Sequence, residues 1–560
     1  MDVVLVGLPG SGKSAVGRQL AAQHAATFID VDEEVERIAG TSIARLFELE
    51  GEAGFRGRER AAVEALGSPS QGRSINRVIA AGGGAVVDPR NRWRLYRGRA
   101  AAWLDAPTAT LAARLGREPG ANRPLLSGGE PTSALDQLRA TRLPYYAACP
   151  RVDADADAPT VAGRVAAELE RVLGGARAAE GTTLLRVTDP ARRLVLGDGI
   201  AAAAIDAELR SAEARRAILL SEPGAWGAAG EGIAARLRDL GWPVEPVLLP
   251  AGEDAKRLAV VEAVAEQLAR LGLERDEPLV GIGGGALTDT AGFVAATYAR
   301  GVPWIAVPTT FVGQVDAALG GKTAVDLAAG KNLVGAFHRP VAVIADVATL
   351  ATLPVRHRRA ALGEVVKVGL LGEARLLEVL EADGPALAAG DPSATEAGAV
   401  AEVVERAARF KLDVVGRDPE EHGERVALNL GHSLGHAIEA AAGFRDVLHG
   451  EAVAYGLRAA CRIGTARGTL SPDRASRAER LLDALDLGAT PLEYPVPTVL
   501  AVLEADKKRR DGSLRWVLPT DAGWSLDDAV PDELVAAVAA SVLAGRARAA
   551  VRQGASEVVA

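Results

Sequence analysis

The chain has little cysteine, little histidine, no long apolar run and no excess of positive charge. Only Cys149 and Cys461 occur in 560 residues. Two thiols so far apart exclude a disulfide scaffold and a cysteine-rich metal site, and they fit a reducing compartment. No apolar stretch approaches the roughly 18 residues of a membrane helix, and the N-terminus runs directly into a strand and a glycine-rich loop rather than a leader. Net charge is −9 with no basic tail, so neither nucleic acid nor an anionic membrane is an expected partner. The expected location is the cytoplasm. What is present, 48% hydrophobic and 24% charged residues, is ordinary for a globular chain, and the length calls for two to four domains.

Residues 1–172 alternate short apolar runs, Val3–Val6, Thr27–Ile29, Arg77–Ala80 and Ala100–Leu104, with helical patterns. Residues 173–182 are small and polar and predict a linker. A second strand-helix series fills 183–350, with strands at Leu194–Leu196, Arg216–Leu220, Pro246–Leu249, Leu279–Gly281 and Trp304–Val307. Alternation of this kind predicts parallel sheets covered on both faces. Long Ala/Leu/Glu/Arg stretches predict a helical domain over 351–545, and 546–560 reads as a frayed tail.

Two glycine-rich loops carry different chemistry. Gly7-Leu8-Pro9-Gly10-Ser11-Gly12-Lys13-Ser14 follows a strand and opens a helix. In that context Gly10, Ser11 and Gly12 offer backbone N–H groups to phosphate, Lys13 neutralises charge, and Ser14 ligates Mg²⁺. Asp30 and Asp32 alternate at the end of the second strand, so both point to one side. One can help hold the metal, and the other can orient or deprotonate a hydroxyl; an N-cap for the following helix is the plainer reading. Arg56, Arg58, Arg123 and Arg142 exceed the needs of ATP and suit an acidic substrate. Gly82-Gly83-Gly84 would let backbone approach a ring closely.

The second loop, Gly283-Gly284-Gly285 with Thr288-Asp289, places backbone at a helix start, where a pyrophosphate binds. Thr309-Thr310 after the next strand could act similarly. His432 and His436 share a helical face, His449 follows, and Glu364 lies upstream. This set suits Zn²⁺ with three protein ligands, although spacing does not say which three. Lys256, Lys322, Lys331, Lys367, Lys411 and Arg425 suit a substrate bearing phosphate and carboxylate.

The first half resembles shikimate kinase. The carriers are the P-loop, Asp30-Val31-Asp32, Phe55-Arg56-x-x-Glu59, Gly82-Gly83-Gly84-Ala85, Arg123-Pro124-Leu125-Leu126 and Arg142-x-Pro144-Tyr145. The resemblance implies that Asp32 acts on the shikimate hydroxyl and that Arg56, Arg142 and Gly82–Gly84 hold the substrate. It implies that Asp30 supports Mg²⁺, that Arg114 contacts adenine, and that Arg123 closes on the phosphoryl group from a lid spanning roughly 112–126.

The second half resembles 3-dehydroquinate synthase over about 183–540. Its carriers include Gly252-Glu253-x-x-Lys256, Gln314-Val315-Asp316, Gly320-Gly321-Lys322-Thr323, Gly330-Lys331-Asn332-Leu333, Glu364-x-x-Lys367, Asn429-x-Gly431-His432-x-x-Gly435-His436, His449-Gly450-Glu451 and Asp506-Lys507-Lys508. The resemblance implies Zn²⁺ or Co²⁺ on Glu364, His432 and His449. It implies NAD⁺ on Glu253, Lys256, Gly284, Gly285, Asp289, Thr309, Thr310, Lys331 and Asn332. Substrate would meet Asp316, Lys322, Asn332, Lys367, Lys411, Arg425, Asn429, His436 and Lys507, with Arg300 reaching across a homodimer. Glu222 stands where the family has aspartate, Ala317 and Ser433 replace a serine and a threonine, and Arg356-His357-Arg358-Arg359 replaces an Arg-Glu pattern.

Together the resemblances imply an α/β fold class: a P-loop NTPase-like kinase domain, an α/β NAD-binding domain and an all-α metal-binding domain of the dehydroquinate synthase kind. They imply ATP-dependent phosphorylation of shikimate, with Lys13, Asp32 and Arg123 catalytic. They also imply cyclisation of 3-deoxy-D-arabino-heptulosonate 7-phosphate to 3-dehydroquinate and phosphate, with Lys322, Lys367, Arg425, Asn429 and His436 catalytic. The two steps are not consecutive. The alternatives are another sugar-phosphate cyclase in the second half, or one non-catalytic, regulatory half.

Overall fold

The structure, a computed structural model, describes residues 1–72, 74–117, 131–174, 181–189, 193–328, 330–444, 446–509 and 514–545. Arg123, most of the expected lid and linker, and the tail lie outside the described residues, as do the side chains of 506–509. The chain divides into two compact units: Met1–Glu208 with Ile344–Ala348, and Leu209–Val343 with Thr349–Ala560.

In the first unit, strands β1 (Asp2–Val6), β2 (Thr27–Asp30), β3 (Arg77–Ala80), β4 (Ala100–Asp105) and β5 (Arg151–Asp153) form one sheet in the order β2-β3-β1-β4-β5. All pairings are parallel. Central β1 reads as a continuous apolar run because both of its faces are covered, and Val3, Val4 and Leu5 are wholly buried. Helices α1 (Lys13–Gln23), α2 (Val31–Ala39), α3 (Ile43–Ala65), α4 (Pro89–Tyr96), α5 (Thr108–Leu115), α6 (Pro131–Tyr146) and α7 (Ala158–Gly174) connect and cover the strands. The P-loop, Asp30 and the triple glycine therefore all emerge at the carboxyl edge of the sheet, where open α/β sheets bind ligands. The unit continues into an antiparallel pair, β6 (Thr182–Val187) and β7 (Leu194–Asp198). Both α4 and α6 pack on β6, and Arg97 Nε pairs with Asp198 at 2.7 Å.

In the second unit, β8 (Ala217–Ser221), β9 (Val244–Leu248), β10 (Leu279–Gly283) and β11 (Trp304–Pro308) run parallel, with β10 and β11 fully buried, and Ala342 and Val343, which open β14 (Ala342–Asp346), pair parallel with β11. A hairpin of β12 (Lys322–Leu327) and β13 (Gly330–Phe337) leaves this layer. Beyond residue 353 the chain is mostly helical, as expected, but β15 (Trp516–Thr520) and β16 (Gly523–Asp527) form a hairpin within it. Among the described residues no helix is long and apolar enough to cross a membrane.

One buried charge anchors the first sheet. Asp2 is wholly buried and accepts from Arg77 Nε at 3.0 Å and Ser70 N at 3.2 Å. Burial alone would raise its carboxyl; the Arg77 and Ser70 donors outweigh that and hold it at about 2, against an ordinary 3.8. Because the folded value is depressed, the stabilisation is complete above pH 4 and lost as pH falls toward 2. Asp2→Asn should therefore cost about 2 kcal/mol at neutral pH, read by denaturant unfolding, and the gap from wild type should close between pH 4 and pH 2.

Candidate active sites

The first site is a cleft of about 920 Å³ lined by Lys13, Ser14, Asp30, Asp32, Arg56 and Arg142, among others. Gly10 and Gly12 take positive φ of 80° and 87°, which turns the loop's N–H groups inward and lets Gly12 cap α1. Lys13 Nζ donates to Gly7 O at 3.0 Å and Leu8 O at 3.1 Å, so the ammonium is folded over its own loop. Ser14 Oγ donates to Asp30 Oδ2 at 2.5 Å, which joins the two groups expected to hold Mg²⁺.

The two aspartates differ from expectation. They do not alternate along a strand: β2 ends at Asp30, which caps α2 by accepting from Asp32 N at 3.1 Å, and Asp32 lies in the first helical turn. The plainer N-cap reading holds for Asp30 together with its bond to Ser14. The turn carries the Asp32 carboxylate onto Gly82, where a Cβ would overlap it. A Cβ on Gly84 would come within 2.6 Å of Arg56 Nη1, and one on Gly83 within 3.3 Å of Arg142 Nη1. The three glycines thus form a floor on which the expected shikimate-binding side chains lie. Arg142 is buried and donates to Gly83 O at 2.8 Å, while Arg56 pairs with buried Glu59 at 2.8 Å. Arg114 Nη2 donates to Ala154 O at 3.0 Å and Ala156 O at 2.9 Å. Arg58 instead pairs with Glu50 on the surface.

The second site begins at the carboxyl edge of β10 and β11. Gly284 caps the helix Gly285–Thr297, and Thr309 N donates to Gly283 O at 2.9 Å. Lys256 Nζ donates to Asp289 at 2.7 Å and to Asn332. Burial would lower its ammonium, but Asp289 outweighs that and raises it. Lys331 pairs with Glu253 at 3.0 Å, and Asn332 N donates to Asp326 Oδ1 at 2.8 Å. Glu222 accepts from Gly252 N at 2.6 Å, so its longer side chain is used to tie two loops together.

Deeper, Asp316 lies between Lys411 (2.9 Å) and Lys367 (3.5 Å). Burial would raise its carboxyl; Lys367 and Lys411 overcome this and hold it at about 2. Arg425 is buried and donates to Gly320 O at 3.1 Å. Glu421, which the sequence reading missed, pairs with Lys322 and accepts from Asn429 Nδ2 at 2.6 Å. Its place four residues before Arg425 was the available signal. Arg300 is exposed at a turn where Ala299 and Arg300 both have positive φ, 49° and 64°.

Three helices meet at Glu364. The helix Val355–Leu371 carries Glu364, His432–Ala441 opens with His432, and His449–Ala466 opens with His449. Beside each ligand candidate stands a glycine. A Cβ on Gly363 would overlap Gly450 O, one on Gly450 would overlap Ala360 O, and one on Gly431 would meet Leu457 N at 3.0 Å. Backbone-to-backbone approach at these glycines lets the three side chains converge. Glu364 Oε1 is 3.1 Å from His449 Nε2 and 3.6 Å from His432 Nε2. His432 Nδ1 donates to Leu430 O at 3.1 Å, and His449 Nδ1 to Glu439 Oε2 at 3.1 Å. Those Nδ1–H bonds leave the Nε2 lone pairs of the neutral rings facing a carboxylate oxygen.

Acceptors turned on one another repel unless a cation or proton lies among them. Glu364 is 1% exposed, and neither oxygen has a hydrogen bond of good geometry, although Lys367 and His449 come within ion-pair range. Burial would raise the Glu364 carboxyl, but Lys367 and the two rings draw it well below the usual range. Burial would lower His449, but the Glu364 and Glu439 carboxylates beside its two nitrogens raise it to about 10. Without an ion the ring takes a proton, which a metal must displace. Two nitrogens and one carboxylate oxygen fit a transition metal far better than Mg²⁺. His436 is exposed, with its ring 5.2 Å from that of His432; His436, Glu439 and His449 form a second three-residue group.

Three stretches match family models: "Shikimate kinase" over residues 9–172, "3-dehydroquinate synthase N-terminal" over 246–360 and "3-dehydroquinate synthase C-terminal" over 361–509. The 3-dehydroquinate synthase of Symbiobacterium thermophilum is 44% identical over 313 residues, which span 56% of this chain and 86% of that protein. The chain belongs to the 3-dehydroquinate synthase family and carries a shikimate kinase domain ahead of it. The synthase of Xylella fastidiosa is 45% identical over 296 residues, covering 52% of this chain and 78% of its own length. Among solved structures, the synthase half is similar to 2-epi-5-epi-valiolone synthase from Streptomyces hygroscopicus subsp. jinggangensis, determined with NAD⁺ and Zn²⁺ bound. Identity is 29% and the TM-score 0.57, over 64% of this chain and 98% of that one.

Two outcomes are expected from this geometry. In the kinase half, Asp32→Asn should lower kcat by roughly 10²- to 10⁴-fold with little change in ATP affinity, measured by steady-state kinetics and nucleotide binding. In the synthase half, Gly450→Ala should force the helices apart and strip the metal from the purified chain, measured by elemental analysis; full metal content would show that the glycine contacts do not set the site.

Proposed function

We propose that the chain is a bifunctional shikimate-pathway enzyme. The kinase half transfers the γ-phosphoryl group of ATP to shikimate and yields shikimate 3-phosphate. The synthase half converts 3-deoxy-D-arabino-heptulosonate 7-phosphate to 3-dehydroquinate and phosphate. The observation that carries the synthase reading is the buried Glu364 facing two oriented imidazoles, beside the cationic group of Lys367, Lys411, Lys322 and Arg425.

In the kinase half, Lys13 and the loop N–H groups hold the phosphates, and Ser14 with Asp30 holds the Mg²⁺ that accompanies ATP. Arg56 and Arg142 take the substrate carboxylate above Gly82–Gly84, and Asp32 orients the hydroxyl and accepts its proton. Arg123 is proposed to close on the transferring group.

In the synthase half, Glu364, His432 and His449 hold the metal. Glu253, Lys256, Gly284, Gly285, Asp289, Thr309, Thr310, Lys331 and Asn332 hold the dinucleotide. When bound, NAD⁺ supplies reversible hydride transfer, and Zn²⁺ or Co²⁺ supplies Lewis-acid polarisation of the substrate hydroxyl. Lys322, Lys367, Lys411, Arg425, Asn429 and Lys507 bind and orient the acidic substrate. Asp316 keeps Lys367 and Lys411 charged and in place. His436, exposed at the mouth, moves protons between substrate and solvent, and Glu421 fixes Lys322 and Asn429. The synthase half is proposed to pair as a homodimer, with Arg300 reaching the partner's site, in the cytoplasm. The greater identity to 3-dehydroquinate synthases than to the valiolone synthase favours heptulosonate over another phosphosugar.

The test is two assays on the full chain. A strong chelator such as dipicolinate, with excess Mg²⁺ present, should abolish heptulosonate cyclisation and spare shikimate phosphorylation. Lys13→Ala should do the reverse, lowering phosphorylation by about a hundredfold or more. Cyclisation that survives complete removal of transition metal would sink the synthase assignment.

A further inference from the structure

Glu439 takes part in none of the assigned contacts with substrate, dinucleotide or metal, yet its carboxylate is 5% exposed. It lies on the helix His432–Ala441, seven residues after His432 and three after His436, and so on their face of the helix. Oε2 is 3.1 Å from His449 Nδ1. A carboxylate can only accept there, so Nδ1 carries a proton and Nε2, which faces Glu364 Oε1, is the nitrogen left to ligate an ion.

The two histidines need different help. His432 has a side chain 12% exposed, and its Nδ1–H is held by Leu430 O two residues away. Its own backbone sets the ring. His449 is 38% exposed and stands at the first position of its helix. Its two ring nitrogens face carboxylates: Nε2 faces Glu364, its partner in the metal set, and Nδ1 faces Glu439 on a different helix. Rotation of the ring about its Cβ–Cγ bond would turn Nε2 out of the site. The cross-helix carboxylate opposes that rotation and selects the tautomer that can ligate.

We propose that Glu439 is a positioning residue for the metal centre: its carboxylate orients His449 and fixes the Nδ1–H tautomer, and it raises the ring's donor strength without ligating the ion. The proposal rests on Glu364, His432 and His449 being the ligand set. The competing arrangement is the group His436, Glu439 and His449, in which Glu439 would itself be a ligand.

The experiment measures Zn²⁺ affinity of the full chain by competition with a chromophoric chelator and records the visible spectrum of the Co²⁺-substituted form. Wild type, Glu439→Gln, Glu439→Ala and His449→Ala are compared, with NAD⁺ binding and shikimate phosphorylation reporting the fold. Glu439→Gln keeps an acceptor but loses the charge, and should bind Zn²⁺ about 10- to 100-fold more weakly with the Co²⁺ coordination unchanged. Glu439→Ala should be weaker still, and His449→Ala should change the Co²⁺ spectrum as a ligand is lost. Should Glu439→Gln fail to fold, Glu439→Asp, which withdraws the carboxylate by one methylene, must show the weakening instead. Wild-type affinity in Glu439→Gln would overturn the proposal, as would a Co²⁺ spectrum in which Glu439→Gln and His449→Ala lose a ligand alike. A wild-type chain that takes up no transition metal would overturn the ligand set itself and this proposal with it, an outcome distinct from either.

Discussion

Burial of the Glu364 carboxylate is the constraint on which the synthase half depends. An ionised group 1% exposed is tolerated only if compensating charge lies within a few ångströms. Lys367, one helical turn on, supplies part of it and is itself wholly buried. That ammonium then needs Asp316, which needs Lys411 in turn. The chain of alternating charges links the helices Val355–Leu371 and Ala399–Arg417 to the π-helical turn Gly313–Ala317 after β11. At its end Glu364 faces the imidazoles of His432 and His449, so the charges that make its burial tolerable also hold it at the centre of the candidate metal site.

Glycine provides the geometry that charge alone cannot. Convergence of Glu364, His432 and His449 from three helices requires the helix axes to approach more closely than side chains permit. Gly363, Gly431 and Gly450, each adjacent in sequence to one of the three, put backbone against backbone at the crossings. The kinase half uses the same device in another setting. There a Cβ on Gly82 or Gly84 would overlap Asp32 or Arg56, and one on Gly83 would crowd Arg142. In both sites the small residue is conspicuous in the sequence, but the partner it admits is not.

Legibility differed by kind of residue. The P-loop was readable because strand, loop and helix are contiguous, and its eight residues build the loop without distant partners. Glu364, His432 and His449 could be gathered as a group, since His432, His436 and His449 lie close in sequence; the hydrogen bonds of their rings, His432 Nδ1 to Leu430 O and His449 Nδ1 to Glu439 on another helix, were not readable. Asp32 was placed on a strand, because a two-residue alternation and the first turn of a capped helix look alike in Asp-Val-Asp. Glu421 and Glu439 went unnoticed among 73 acidic residues, since their partners, a lysine 99 residues away and a histidine on another helix, are set by the fold. The β12–β13 and β15–β16 hairpins were missed because their strands are too short for a two-residue alternation to stand out from the sequence around them.

The sequence by itself determined the two α/β layers, the helical region after residue 353, the phosphate-binding loops and the residue types available for metal, dinucleotide and acidic substrate. Those follow from patterns spanning a few residues, where backbone geometry makes neighbours in sequence neighbours in space. Tertiary structure alone decided which groups meet across long separations: Lys256 with Asp289 and Asn332, Lys322 with Glu421, Asp316 with Lys367 and Lys411, and Glu439 with His449. It also decided which charges are buried. A charge's pKa and a ring's tautomer depend on solvent exclusion and on partners brought by other helices, and neither quantity exists until the chain has packed.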